Sequence, residues 1–321
     1  MMSVAVVVPT HDRAGRLARL VAALEAQETS RPFTVVIVDD GSQDGTWALL
    51  ERLASSARVP LLPRRIENGR GPAAARNLGW RATDAEVVAF TDDDCVPTPG
   101  WLEALAAAAD RAGMAQGTTL PDPAQASTRG PFSRTLEVTE ESGYYQTCNM
   151  AYRRDVLERL GGFDERFRHP TGEDTDLAWR AIEDGTRAEF VPHAVVHHDV
   201  RPSSFVSHVR DTRRWEGVVL ATRLHPKLRG RFHRRWFWKP SHPPAIAAAG
   251  GLVLAATARR RSTRLIGALL SVPYVRYRAR VLPLEGGPRR RLAVIPLALV
   301  ADATEVAVLA AASVRYRTLL L

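Results

Sequence analysis

Short apolar runs that end in acids, separated by helix-length segments, set the tightest limit on this fold. Val4-Ala5-Val6-Val7-Val8 and Thr34-Val35-Val36-Ile37-Val38 are nearly continuous apolar runs, as in strands buried on both faces. Pro9 and Thr10 end the first, and Asp39-Asp40-Gly41-Ser42 ends the second. Between them Leu17, Leu20, Val21 and Leu24 recur at helical spacing. A helix is predicted from Thr46 to Ala57, a weaker strand from Leu61 to Ile66, and an Ala-rich helix after the Gly-rich turn at Asn68 to Gly71. Val87-Val88-Ala89-Phe90 is the next strand, and its helix starts near Trp101. This alternation predicts an α/β fold, a mostly parallel sheet flanked by helices.

Asp92-Asp93-Asp94 stands at the carboxyl end of the fourth run, where open α/β sheets present ligand-binding groups. Adjacent carboxylates repel one another, so a cation or a donor-rich ligand relieves the site. In an extended segment Asp92 and Asp94 face one side and Asp93 the other. Asp92 and Asp94 are therefore expected to share a hard divalent ion, Mg²⁺ or Mn²⁺.

Residues 120–146 read as a long excursion rich in Pro, Ser, Thr and Gly. The chain returns through Cys148 to Arg154, a helix to Leu160, and Gly161-Gly162-Phe163-Asp164. Glu173-Asp174-Thr175-Asp176 opens another helix, where acids suit the N-terminal dipole. Ala188–Val191 and Ala194–His198 close this part of the chain. Cys95 and Cys148 form no disulfide framework or metal spacing and fit a reducing compartment. Met1-Met2-Ser3 runs into an apolar strand without a basic n-region, so no signal peptide is predicted.

Charge divides the chain. Residues 1–200 hold 21 Lys+Arg against 30 Asp+Glu, and residues 201–321 hold 23 against 5. The second part also carries Trp236-Phe237-Trp238 and apolar stretches at Pro243–Ala258, Leu265–Tyr274 and Leu292–Val314. Arg clusters flank them at Arg259–Arg261, Arg276 to Arg280, Arg289–Arg291, Arg315 and Arg317. Aromatic residues suit the headgroup level and Arg clusters suit anionic lipid. Nucleic acid would leave the apolar stretches unexplained, so none is expected as a partner. Asp302 and Glu305 fall mid-stretch in the last segment, where a bare acid in a bilayer costs roughly 2.5–3.5 kcal/mol. In-plane or re-entrant helices are therefore favoured over one or two spans.

Val38-Asp39-Asp40-Gly41-Ser42, Phe90-Thr91-Asp92-Asp93-Asp94 and Gly172-Glu173-Asp174-Thr175-Asp176-Leu177 follow one another on this β/α chain. With Val8 to Arg13, Ala75-Arg76-Asn77-Leu78-Gly79 and Asn149 to Asp164, the set resembles the family 2 glycosyltransferases over residues 3–200. That family is an inverting group with the GT-A fold. The resemblance implies a nucleotide-binding set of Pro9, Thr10, Asp12, Asp40, Arg76, Asp92 and Asp93. It implies Asp92 and Asp94 at the metal, His197 as a third metal ligand, and Asp174 as the general base. An inverting displacement needs one such base, and a diphosphate leaving group needs its charge neutralised.

The resulting expectation is a GT-A domain at 1–200 and a helical, membrane-associated region at 201–321. The enzyme would move a sugar from a nucleotide-diphosphate donor to a hydroxyl of a glycan or lipid-linked acceptor. It would work on an anionic membrane surface at the cytoplasmic face. The alternatives are a polyprenyl-phosphate glycosyl synthase and a catalytically silent nucleotide-sugar-binding membrane scaffold.

Overall fold

The computed structural model describes residues 2–167, 169–282 and 287–321, with the side chains of 287–291 outside the described set. The basic cluster Arg289–Arg291 therefore lies outside what is described for side chains. The chain forms two compact units. One comprises Met1–Ala126 with Thr135–Val200, and the other comprises Ser127–Arg134 with Arg201–Leu321.

The first unit opens with alternating elements: β1 (Val4–Thr10), α1 (Ala14–Glu25), β2 (Phe33–Asp39), α2 (Thr46–Ser56), β3 (Leu61–Arg65), α3 (Pro72–Arg81) and β4 (Val87–Thr91). It continues with β5 (Cys95–Pro97), α4 (Trp101–Ala112), β6 (Gly113–Pro121), β7 (Asn149–Arg153), α5 (Arg154–Leu160), α6 (Glu173–Glu183) and β8 (Arg187–His198). The strands form one sheet in the order β3-β2-β1-β4-β7-β6-β8-β5. Strands β3, β2, β1 and β4 are mutually parallel, so their acid-bearing carboxyl ends share one edge.

The far half is mixed. β7 runs antiparallel to both β4 and β6, and β5 runs antiparallel to β8. Strand β6 was not anticipated, because its buried positions include Gln116, Thr118 and Thr119 rather than an apolar run. The two pieces expected over 188–198 are one strand, interrupted where its register with β6 shifts between Gly117 and Thr118. Asn149 fills that break, donating from Nδ2 to the Thr118 and Ala194 carbonyls at 2.8 and 2.9 Å. Helix α3 lies close on the sheet because residue 79 is glycine: a Cβ there would sit 2.4 Å from Val7 Cγ1. The apolar runs of β1, β2 and β4 form the core with Leu17, Leu20 and Leu24 of α1 and Trp101, Leu102 and Leu105 of α4.

The second unit is helical: α7 (Phe205–Arg210), α8 (Glu216–Leu224), α9 (His242–Thr257), α10 (Arg261–Leu269), α11 (Val272–Val281) and α12 (Gly287–Tyr316). The apolar stretch Leu265–Tyr274 is thus divided between α10 and α11. A small core of Ala245, Ala248, Tyr274, Leu282 and Ile295 joins α9, α11 and α12.

The mid-stretch acids of α12 are buried and partnered, which removes the cost that weighed against them. Glu305 accepts from Lys239 Nζ at 2.7 Å and from Trp215 Nε1 at 3.0 Å. Asp302 accepts from Tyr274 Oη at 2.8 Å and pairs with Arg278. Of the aromatic trio, Trp236 is exposed, whereas Trp238 packs against Trp215 and Phe232. Among the described residues one helix, Leu292–Tyr316, is long and apolar enough to cross a membrane.

Candidate active site

The three acids after β4 go three ways. The Cys95 amide donates to the Asp92 carbonyl at 3.1 Å, closing a turn through Asp93 and Asp94. A turn cancels the alternation of an extended strand, so Asp92 and Asp94 do not face one side. The alternation expected to point Asp92 and Asp94 at one ion is thus replaced by a turn.

Asp92 turns toward α3. Arg76, 4% exposed, donates to Asp92 at 2.8 Å and to Glu173 of α6 at 2.9 Å. Its guanidinium also lies over the Phe163 ring. This one side chain joins the end of β4 to the start of α6. Asp174, half-buried, stands beside them and accepts from the Thr175 amide at 2.8 Å. Three carboxyl groups therefore surround one guanidinium. Burial is the largest influence on Arg76 and disfavours its charge, but the Asp92 and Glu173 charges outweigh it and raise its pKa. Burial, then the Asp174 charge, pushes Glu173 up to about 8. Asp174 is also raised, chiefly by burial.

From sequence alone Glu173 reads as an acid at a helix N-terminus. Its role as the Arg76 partner has no local signature, since 97 positions separate the two. Asn77 was also missed as an anchor. Its Nδ2 donates to the Phe163 carbonyl and its Oδ1 accepts from the Phe163 amide, both at 2.9 Å. It thereby ties α3 to the Gly161–Asp164 segment.

Asp93 lies toward β1. Thr10 Oγ1 donates to Asp93 Oδ2 at 2.8 Å, and Arg13 Nε is 3.7 Å from Oδ1. Burial, then the Asp94 charge, pushes Asp93 up to about 7. A carboxyl whose folded pKa exceeds its unfolded value favours the fold below the unfolded pKa and loses that favour as pH rises through the folded one. Asp93→Asn is therefore expected to raise the stability of the ligand-free protein by ~1–2 kcal/mol at pH 8 and to give little gain near pH 4. Urea unfolding at the two pH values checks this. Equal effects at both would remove Asp93 as the strained acid.

The remaining nucleotide-set residues line the loops after β1 and β2. Pro9 and Thr10 end β1. The Asp12 amide donates to Ser42 Oγ at 2.9 Å, and Asp12 Oδ1 accepts from the Gln43 amide at 2.8 Å. Asp40 accepts from the Arg70 and Gly71 amides, each at 2.8 Å, and so shapes the turn that leads into α3. Asp40 keeps further acceptor capacity, because a carboxylate has about four lone-pair sites. Gly41 packs against that turn, where a Cβ would lie 2.8 Å from the Gly69 amide nitrogen.

The histidine expectation is also corrected. In the antiparallel β5–β8 register, His198 lies opposite Cys95 and His197 opposite Val96. Opposed residues share a face and neighbours along a strand do not. His197 therefore points away from Asp94, on the side near Asp122. His198 Nε2 stands 3.6 Å from Asp94 Oδ1. His198 Nδ1 is 2.9 Å from the Asp199 carbonyl. A carbonyl only accepts, so Nδ1 carries the proton and a neutral ring presents its Nε2 lone pair to the carboxylate. Among the described residues of this unit, Asp94, Cys95 and His198 are the His/Cys/Asp/Glu group whose donor atoms lie within 4.8 Å of one another.

Comparison with known proteins gives the family and the fold. The profile of glycosyl transferase family 2 matches residues 5–161, and that of glycosyl transferase family group 2 matches residues 87–301. The pre-mycofactocin glycosyltransferase of Mycobacterium tuberculosis is 34% identical over 212 residues, covering 62% of this chain and 43% of that protein. Escherichia coli chondroitin synthase is 25% identical over 238 residues, covering 61% of this chain and 34% of that one. The chain thus spans less than half the length of these two curated relatives. Among solved structures, the Pyrobaculum calidifontis mannosyltransferase PcManGT, in complex with GDP-Man and Mn²⁺, superposes with a TM-score of 0.66 at 24% identity, over 94% of this chain and 86% of that one. Staphylococcus aureus TarS in complex with UDP gives 0.52 at 18% identity, over 94% and 91%. The chain belongs to glycosyl transferase family group 2, whose profile matches two thirds of it, and is built on the GT-A fold.

Proposed function

We propose that the chain is an inverting, metal-dependent glycosyltransferase that passes a sugar from a nucleotide-diphosphate donor to a hydroxyl of a glycan or lipid-linked acceptor. The observation that carries this reading is Arg76, which gathers Asp92, Glu173 and Asp174 from two distant motifs into one cluster. In this reading the sheet unit, within residues 1–200, does the chemistry. Thr10, Asp12 and Asp40 meet the nucleoside, with Pro9 shaping the end of β1. Asp92 and Asp93 meet the sugar nucleotide, and Arg76 fixes Asp92. Asp174 takes the proton from the acceptor hydroxyl as that oxygen attacks the anomeric carbon and the nucleoside diphosphate departs.

Asp94 and His198 would hold Mn²⁺ or Mg²⁺. The donor set fits, since it offers a carboxylate oxygen and an imidazole lone pair fixed by the Asp199 carbonyl. When bound, the ion neutralises the charge that grows on the departing diphosphate. The nucleotides named for PcManGT and TarS support a nucleotide-sugar donor.

The helical unit, essentially residues 201–321, is proposed to hold the enzyme on an anionic membrane surface at the cytoplasmic face. Leu252, Val253, Leu265, Ile266 and Leu269 are each about half exposed or more, an apolar display that suits lipid. Exposed Arg259, Arg260, Arg261 and Arg264 stand beside them. Each basic residue near anionic lipid contributes about 1 kcal/mol.

The test is a thermal-shift panel of UDP, GDP and dTDP, each with Mn²⁺ or with chelator. One diphosphate with Mn²⁺ is expected to stabilise the protein by about 2.7 kcal/mol at 100-fold excess over its Kd. Asp94→Asn is expected to lose that gain. Stabilisation that persists in chelator, or in Asp94→Asn, would remove the metal from the mechanism.

A further inference from the structure

A second gathering of like charges lies in the helical unit, and none of its members belongs to the nucleotide set. Ser127–Arg134 is part of that unit. The Arg134 amide donates to the Arg201 carbonyl and the Arg201 amide to the Arg134 carbonyl, each at 2.8 Å. Phe132 packs against the rings of Phe205 and His208, with centroids 5.4 and 5.3 Å away. These contacts set Arg134 beside α7 and the 3₁₀ turn Asp211–Trp215 that follows it. Arg134 pairs with one oxygen of Asp211, and Arg210 Nε stands 3.9 Å from the other. Two guanidinium groups thus share one carboxylate. Burial, then the Arg214, Arg201 and Arg210 charges, disfavours the Arg134 cation. Burial also disfavours the Arg214 cation; the Glu305 charge opposes this and the Arg201 charge adds to it. Glu305 is already engaged by Lys239, Trp215 and His242. Arg214 Nε and His208 Nδ1 are buried without a hydrogen-bond partner among the described residues.

We propose that Arg134, Arg210, Arg214 and His208 form a binding site for a phosphate monoester or diphosphate group. Cations that repel one another are relieved by an anion, and a doubly charged one relieves them most. Guanidinium is the side chain suited to this, because its planar fork donates parallel N–H bonds to phosphate oxygens and is weakly hydrated. The buried Nε of Arg214 supplies one donor. Burial, the largest influence on His208, lowers its pKa, and the Lys239, Arg134 and Arg214 charges add to this against Glu305. A neutral imidazole still offers one N–H. A single carboxylate, Asp211, is already in place, so the excess cations call for more charge than a second carboxylate would bring. A phosphorylated lipid and a free diphosphate carry the same chemistry and differ in whether vesicles compete for the site. The site uses neither the metal nor Asp174 and stands apart from the reading above.

The experiment is calorimetric titration of the full chain with sodium pyrophosphate, in chelator so that a metal-dependent donor site does not contribute. Binding is expected in the native chain and in Asp94→Asn. Arg210→Gln and Arg214→Gln should each weaken it about tenfold or more, with UDP or GDP binding in Mn²⁺ unchanged. Asp211→Asn removes the acid that competes for Arg134 and Arg210 and should tighten pyrophosphate binding, a gain that misfolding does not imitate. Displacement of pyrophosphate by phosphatidylcholine vesicles carrying phosphatidic acid, but not by phosphatidylserine vesicles of equal surface charge, would assign the site to a lipid phosphomonoester. Pyrophosphate binding that both vesicles leave intact would assign it to a free diphosphate. Equal displacement by both would reduce the cluster to general attraction for anionic lipid and overturn the site. Absence of pyrophosphate binding in the native chain, or an affinity that Arg214→Gln and Asp211→Asn leave unchanged, would overturn it as well.

Discussion

Asparagine at position 174 is expected to lower sugar transfer by about 10²–10⁴-fold while donor affinity stays within about twofold. The change keeps size and hydrogen bonding at the start of α6, so the Thr175 amide retains its acceptor. It removes only the capacity to take a proton. Charge loss next to Arg76 is tolerable because Asp92 and Glu173 still hold the guanidinium. The pH dependence follows from the environment. Burial, the largest influence, raises the Asp174 pKa, and the nearby Asp92 charge adds to it; the Thr175 amide and Arg76 oppose. A base must be ionised to act, so turnover by the native enzyme should fall as pH drops through that raised value. Its acid limb should stand above that of a solvent-exposed aspartate, and Asp174→Asn should show no such limb. Single-turnover rates across pH, with donor Kd measured in parallel, separate the cases. If donor affinity collapsed and residual chemistry stayed high, Asp174 would belong to the donor site instead.

The parallel half of the sheet was legible because β1, β2 and β4 are buried on both faces and so read as apolar runs. The other half was not. Strand β6 buries Gln116, Thr118 and Thr119, so its composition imitates a loop. Strand β5 is three residues long and is defined by its partner rather than by its own sequence. The same limit governs the candidate site. Acids at strand ends were visible as residue types, but their directions depend on the turn from Asp92 to Cys95. The choice between His197 and His198 depends on the register of β8 against β5, a pairing about 100 residues apart in sequence. Local alternation says the two histidines diverge but does not say which one meets Asp94. In α12 the burial of Asp302 and Glu305 was likewise invisible, because their partners Lys239, Tyr274 and Arg278 come from other segments.

The largest stability effect should come from Arg76. Replacing it with methionine keeps most of the volume and removes the guanidinium bonded to both Asp92 and Glu173. Glu173 is 2% exposed, and among the described residues its Oε2 has no hydrogen-bond partner even in the native chain. Stranding such a charge costs about 3–5 kcal/mol, more than the native pair itself contributes. The loss should depend on pH. Burial already pushes Glu173 up to about 8, against the pull of Arg76. Without Arg76 the carboxyl protonates more readily, and a neutral acid tolerates burial better. Arg76→Met should therefore cost most at pH 8 and less at pH 5. Adding Glu173→Gln should recover part of the loss at pH 8, because the second change removes the stranded charge. A double-mutant cycle by urea unfolding at both pH values measures the coupling. A cost below about 1 kcal/mol at pH 8, or further destabilisation by Glu173→Gln in the Arg76→Met background, would show that the pair does not hold α3, β4 and α6 together.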